Sequence, residues 1–126
     1  MGKNCSQLTL LHICVTIGGI LKEIRRYQTT TGSIPFDEWI DNLDLEVQGR
    51  IDAYIRRLSL GGSGSNIKAL GNGIFEIRMD FGPGYRVYFA PARSIIILLF
   101  GGTKRGQSRD IERALSYWRD YNEKNR

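Results

Sequence analysis

Residues 74–89 read IFEIRMDFGPGYRVYF, and this stretch decides how the rest of the chain folds. Phe75, Ile77 and Met79 alternate with Glu76, Arg78 and Asp80. Past FGPG at 81–84, Tyr85, Val87 and Phe89 alternate with Arg86 and Tyr88. Period-two alternation on both sides of a glycine-rich turn predicts a β-hairpin. If the turn is symmetric about Gly82, Arg78 faces Arg86 and Glu76 faces Tyr88, all on one side of the sheet. Like charges directly opposite each other repel. Such a pair is tolerated when a carboxylate or an anion sits between the two guanidinium groups. Glu76, a diagonal neighbour, makes a salt-bridged sheet face one reading; a phosphate clamp is the other, and spacing alone supports both equally.

Downstream, the turn PAR at 91–93 precedes SIIILLF at 94–100, which is apolar on both faces as a central strand covered on both sides requires. GGTKRG at 101–106 then carries Lys104 and Arg105 off the end of that strand. A final helix follows, with Ser108 as its cap and Ile111, Ala114, Leu115 and Trp118 at helical spacing. Upstream, KEIRRYQ at 22–28 reads as a first strand. Ser33 and Pro35 open a helix whose stripe is Phe36, Trp39, Ile40 and Leu43, with Asp37, Glu38 and Asp41 on the wet face. Asp44 caps a second helix with the stripe Val47, Ile51, Tyr54, Ile55 and Leu58, so the two helices form a hairpin. GGSGSN at 61–66 is a loop, and Lys68 and Leu70 lead into the turn GNG at 71–73. The order is β-α-α-β-β-β-α: an α+β fold, a small sheet with an N-terminal helical hairpin and a C-terminal helix. Trp39 and Trp118 read as core residues because both sit on apolar stripes.

A chain of 126 residues suits one domain, and 41% hydrophobic with 25% charged residues argues against wholesale disorder. The net charge of +5 is unevenly spread. Residues 36–52 hold six acids against Arg50, whereas residues 53–126 hold thirteen Lys or Arg against six Asp or Glu. A basic remainder of this kind raises the local concentration of polyanions, nucleic acid first among them, although solubility explains the same charge. Cys5 and Cys14 cannot staple the domain, and with the single histidine, His12, they lack zinc-site spacing. That usage fits the cytoplasm. Residues 8–21, LTLLHICVTIGGIL, are apolar but lack a cleavage site and are short for a membrane span. Residues 1–21 are therefore expected to be a start-site extension or an appendage on a domain running from 22 to 126, and no membrane association is expected.

Arginine forks bind phosphate bidentately and keep their charge. Arg78, Arg86, Lys104 and Arg105 are the candidates for an anion site, with Tyr85, Tyr88 and Phe81 as a stacking surface for a base. No Cys–His pair, calcium loop or nucleotide-binding glycine loop is present.

The runs FDEWIDNL, IFEIRMDFGPGYRVYF and LLFGGTKRGQSRDIERA resemble toxins of the RelE/ParE superfamily, and are most similar to the phage-type addiction module killer branch near HigB. The resemblance spans about Lys22 to Glu123. It implies a type II toxin paired with a helix-turn-helix antitoxin. RelE-like and HigB-like members cut mRNA on the ribosome, whereas ParE-like members inhibit DNA gyrase. The resemblance places Arg86 as the catalytic arginine after Gly-Tyr, Arg78 where a lysine stands in those toxins, and Lys104 and Arg105 as the basic pair after the last strand. On this basis Arg78, Arg86 and Lys104 are the catalytic candidates, with Lys104 moving the proton because a buried lysine, unlike an arginine, shifts its pKa readily. Arg105, Arg109, Tyr85 and Tyr88 bind RNA, and no metal or cofactor takes part. Ile111 stands where RelE-like enzymes carry a tyrosine. A gyrase inhibitor, or a degenerate toxin serving as co-repressor, remains the alternative to the nuclease.

Overall fold

The computed structural model describes residues 22–62 and 64–125; the expectation for residues 1–21 lies outside them. The hairpin forms in the expected register: β3 (Ile74–Arg78) pairs antiparallel with β4 (Tyr85–Ala92), with Arg78 opposite Arg86 and Glu76 opposite Tyr88. Met79 N–H donates to Tyr85 C=O at 3.0 Å and closes the ladder below the turn. Gly82 and Gly84 in that turn have φ of +56° and +82°, the left-handed region where a Cβ is penalised.

The apolar run becomes β5 (Ile95–Thr103), which pairs antiparallel with β4 and parallel with β1 (Glu23–Arg26). The described residues form a sheet of five strands in the order β1-β5-β4-β3-β2, one more than the sequence pattern gives. The additional strand is β2 (Ile67–Gly71), which pairs antiparallel with β3. It lies at the end of the sheet with Lys68 and Ala69 exposed, and a register shift interrupts it between Ala69 and Gly71. Its ladder with β3 holds it in place, and a run of five residues with no alternating apolar face carries little local signal.

Helices cover both faces. On one, α1 (Pro35–Ile40) and α2 (Leu45–Ser59) set Phe36, Ile40, Ile51 and Ile55 against Ile77, Val87, Phe89, Ile96 and Leu98. On the other, α3 (Gln107–Lys124) sets Ala114, flanked by Ile111, Leu115 and Trp118, against Ile74, Tyr88, Ala90, Ile97 and Leu99. Ile96 and Leu98 feed one core while Ile97 and Leu99 feed the other, which is why β5 is apolar at every position. Trp39 and Trp118 each pack against one of these cores, as expected.

Three local expectations are corrected. Ser33 does not cap α1: Ile34 holds that place, and Ser33 closes a tight loop with Thr29 through a C=O that accepts from Thr29 N–H at 2.8 Å. Ser108 lies inside α3, which starts a residue earlier with Gly106 as N-cap, after a 3₁₀ turn at Lys104–Gly106. Asp37 is buried rather than solvated, because it lies 3.5 Å from Arg26 at the end of β1 in an ion pair. Asp44 does take the N-cap position of α2, although its side chain makes no cap bond. Tyr27 Oη donates to Asp120 at 2.5 Å, and Lys124 pairs with the same carboxylate at 3.0 Å, fastening the end of α3 beside β1. No described helix is long and apolar enough to cross a membrane.

Candidate anion site

The glycine pair after the apolar run explains how β5 meets its surroundings. A Cβ on Gly101 would lie 2.1 Å from the Trp39 ring, so the first glycine lets Trp39 lie on the strand. A Cβ on Gly102 would lie 2.0 Å from Asp110 Oδ2, so the second leaves a notch for that carboxylate on the opposite face. Gly102 is also the β5 partner of Arg86, and the notch opens beside the arginine.

Arg86 is 5% exposed. Its Nη1 donates to the carbonyls of Gly84 and Tyr85, each at 3.2 Å, while Nε is buried without a hydrogen-bond partner. Among the described residues no carboxylate forms an ion pair with it. A buried guanidinium that no carboxylate compensates is costly.

Lys104 reaches the same corner from β5. Its N–H donates to Gly84 C=O at 2.8 Å. A Cβ on Gly84 would meet Lys104 Cβ at 3.3 Å and Arg86 Nη1 at 3.5 Å, so the lysine stem and the guanidinium flank one glycine. Arg78, opposite Arg86, is half-exposed, and its Nε stands 4.0 Å from Glu76 Oε2. The structure thus brings Arg78, Arg86 and the stem of Lys104 to one edge of the α3-side face. The Lys104 side chain is exposed, whereas the proton-transfer assignment assumed burial. Arg105 and Arg109 are exposed on the 3₁₀ turn and the first turn of α3, beside this corner in sequence.

The aromatic expectations are corrected. Tyr88 is fully buried, so its ring offers no stacking face. Tyr85 has the opposite parity on β4 and packs with Phe81 and Trp39 on the α1–α2 side, where Arg50 lies 3.7 Å above the Phe81 ring. The three rings form no common platform beside the arginines.

The polar surroundings are richer than the spacing implied. Glu76 is fully buried, and its Oε1 accepts from Gln107 Nε2 at 2.8 Å. Burial pushes the Tyr88 phenol well up; Glu76 and Asp110 push the same way and Arg86 opposes them. Burial also raises the Asp110 carboxyl against the pull of Arg113 and Arg109. Glu76, Tyr88, Arg86 and Asp110 therefore share one electrostatic neighbourhood beneath the start of α3. Gln107 and Asp110 were not candidates from the sequence. The only hint was a glutamine directly after the glycine-lysine-arginine turn and an aspartate three residues on. Among the described residues no group of three or more His, Cys, Asp and Glu is placed to hold a metal ion. A cavity of about 220 Å³ lies on the other face, lined by Tyr54, Arg57, Leu58, Asn66, Ile67 and Ile77 among others.

The described residues form an α+β fold around one sheet, with a cationic corner built from a strand pair and a strand-to-helix turn. The chain belongs to the family of phage-derived Gp49-like proteins (DUF891), whose profile matches residues 38–116, the segment that holds the entire corner. It is 43% identical over 84 residues to an uncharacterized protein of Haemophilus influenzae, a match covering 65% of this chain and 84% of that relative.

Proposed function

We propose that the protein is the toxin of a type II toxin–antitoxin pair and cuts mRNA on the ribosome in the cytoplasm. The observation that carries this reading is Arg86: buried, without a carboxylate in ion-pair range among the described residues, and flanked by Arg78 and Lys104. Membership of the phage-derived family and the resemblance of GPGYRVYF and GGTKRG to RelE-like toxins support it.

The reaction consistent with such a site is attack of a ribose 2′-oxygen on the adjacent phosphorus. The O2′–P bond forms, the P–O5′ bond breaks, the 2′-hydroxyl gives up its proton and the leaving 5′-oxygen takes one. The products are a 2′,3′-cyclic phosphate and a 5′-hydroxyl. Negative charge gathers on the phosphoryl oxygens in the transition state, where fixed guanidinium groups stabilise it most. Arg86 and Arg78 hold those oxygens, and Lys104, exposed at the rim, presents its three N–H donors to the leaving 5′-oxygen. Arg105 and Arg109 bind the flanking phosphates. An antitoxin with an acidic segment silences the site by covering it.

The gyrase-inhibitor reading draws on a different observation: among the described residues neither tyrosine expected to stack a base stands open beside the arginines, since Tyr88 is buried and Tyr85 faces the other side. Mapping message ends after induction separates the two. Fresh 5′-hydroxyl ends within translated frames support the nuclease. Intact messages with relaxed plasmid DNA support the inhibitor.

A further inference from the structure

The sheet arginines and the basic turn belong to different elements, so something must fix the gap between them. Residues 104–107 are fastened to the hairpin at both ends. At the first end, Lys104 N–H donates to Gly84 C=O at 2.8 Å, a backbone bond that side-chain changes barely touch. At the second, Gln107 Nε2 donates to Glu76 Oε1 at 2.8 Å, across 31 positions of sequence. Glu76 sits two residues from Arg78 on β3, opposite Tyr88, with no exposure to solvent. Its other oxygen makes no hydrogen bond and stands 4.0 Å from Arg78 Nε. The same carboxylate therefore stands beside Arg78 and anchors the turn that carries Lys104 and Arg105.

We propose that Glu76 and Gln107 are positioning residues: their hydrogen bond sets the distance between Arg78 and Arg86 on the sheet and the cations of the 104–106 turn. The inference rests on the nuclease reading and deepens it. Neither residue touches the scissile phosphate; each acts through the groups it holds. Displacing a catalytic group by about 1 Å costs on the order of 100-fold in rate while leaving binding charge in place. Loss of the contact should therefore appear in the maximal rate and not in affinity.

The test is single-turnover cleavage of a short message on programmed ribosomes, with thermal unfolding run alongside. Gln107→Leu should cut roughly 10- to 100-fold more slowly at saturation, with the half-saturating concentration within about threefold of wild type. Gln107→Glu should be worse, since it sets two carboxylates against each other. The reversed pair, Glu76→Gln with Gln107→Glu, restores a donor–acceptor contact and should recover most of the rate. That recovery is the decisive reading if Gln107→Leu folds poorly. A Gln107→Leu variant that cuts as fast as wild type, or a reversed pair no better than Gln107→Glu alone, overturns the inference while the nuclease reading stands. A wild-type protein that cuts no message overturns both.

Discussion

Replacing Arg86 with alanine separates function from folding, and the structure allows both effects to be sized. The guanidinium makes two hydrogen bonds, each at 3.2 Å, the long end of the range. Charge-assisted bonds of good geometry contribute about 1.5–3 kcal/mol each, and these two should fall at or below the lower bound. Neither acceptor is orphaned by the change: Gly84 C=O still takes the Lys104 N–H and Tyr85 C=O still takes the Met79 N–H. Against the loss stands relief of repulsion from Arg78 directly opposite, about 0.2–1 kcal/mol, and removal of a buried charge that has no ion-pair partner among the described residues. The net cost should be roughly 1–2 kcal/mol, a drop in Tm of about 3–12 °C for a chain of this size. Catalysis should suffer far more, because removing one donor aimed at a developing anion costs about 100- to 1,000-fold. The assay is growth arrest on induction together with the cleavage rate and Tm of the purified variant. Arg86→Ala should be folded and harmless, and Arg86→Lys should fall between it and wild type because it keeps the charge without the fork. A folded Arg86→Ala variant that still arrests growth at full strength refutes the role assigned to this residue.

Three further outcomes follow from the same geometry. Gly102→Ala forces its Cβ against Asp110 and should lower stability by about 1–3 kcal/mol by thermal unfolding, and adding Asp110→Ala should return most of the loss. Asp110 itself has a carboxyl raised by burial, so the folded state holds its proton more tightly than the unfolded chain does. Asp110→Asn should therefore gain stability over wild type at neutral pH, and the gain should shrink as pH falls through the raised folded pKa towards the ordinary aspartate range. At the other end of α3, hydrogen bonds from Tyr27 and Lys124 hold the Asp120 carboxyl below its usual range. Its contribution is present above the ordinary aspartate pKa and disappears as pH drops through the lowered value. Tyr27→Phe should accordingly destabilise the protein at pH 7 and match wild type in strong acid, as followed by Tm across pH.

Much of this fold was legible because its strongest elements carry local signals. Alternation on both sides of FGPG gave the hairpin register, including the facing pair Arg78 and Arg86. The unbroken apolar run of β5 announced a strand with a core on each face. β2 was not legible, since a short edge strand with an exposed Lys68 and Ala69 depends on its ladder with β3. At the site, sequence parity placed the sheet arginines on one face; the same parity puts Tyr85 on the other, which the stacking expectation overlooked, and the depth at which Tyr88 lies depends on α3 packing over it. The pairing of Gln107 with Glu76 and the fit of Asp110 above Gly102 join residues on separate elements, and spacing along the chain does not say which partner each one meets. The pair of glycines at 101 and 102 reads in the sequence only as the lead into Lys104 and Arg105. It is the place where two side chains, one on each side of the sheet, need the room that a Cβ would fill.

The most direct test of the central claim, that these cations converge on an RNA phosphate to break its chain, is to map the ends of cellular messages minutes after induction. Wild-type protein should leave new 5′-hydroxyl and 2′,3′-cyclic phosphate ends inside translated frames, and Arg86→Ala should leave none. Growth arrest by the wild type with messages left whole would contradict the claim.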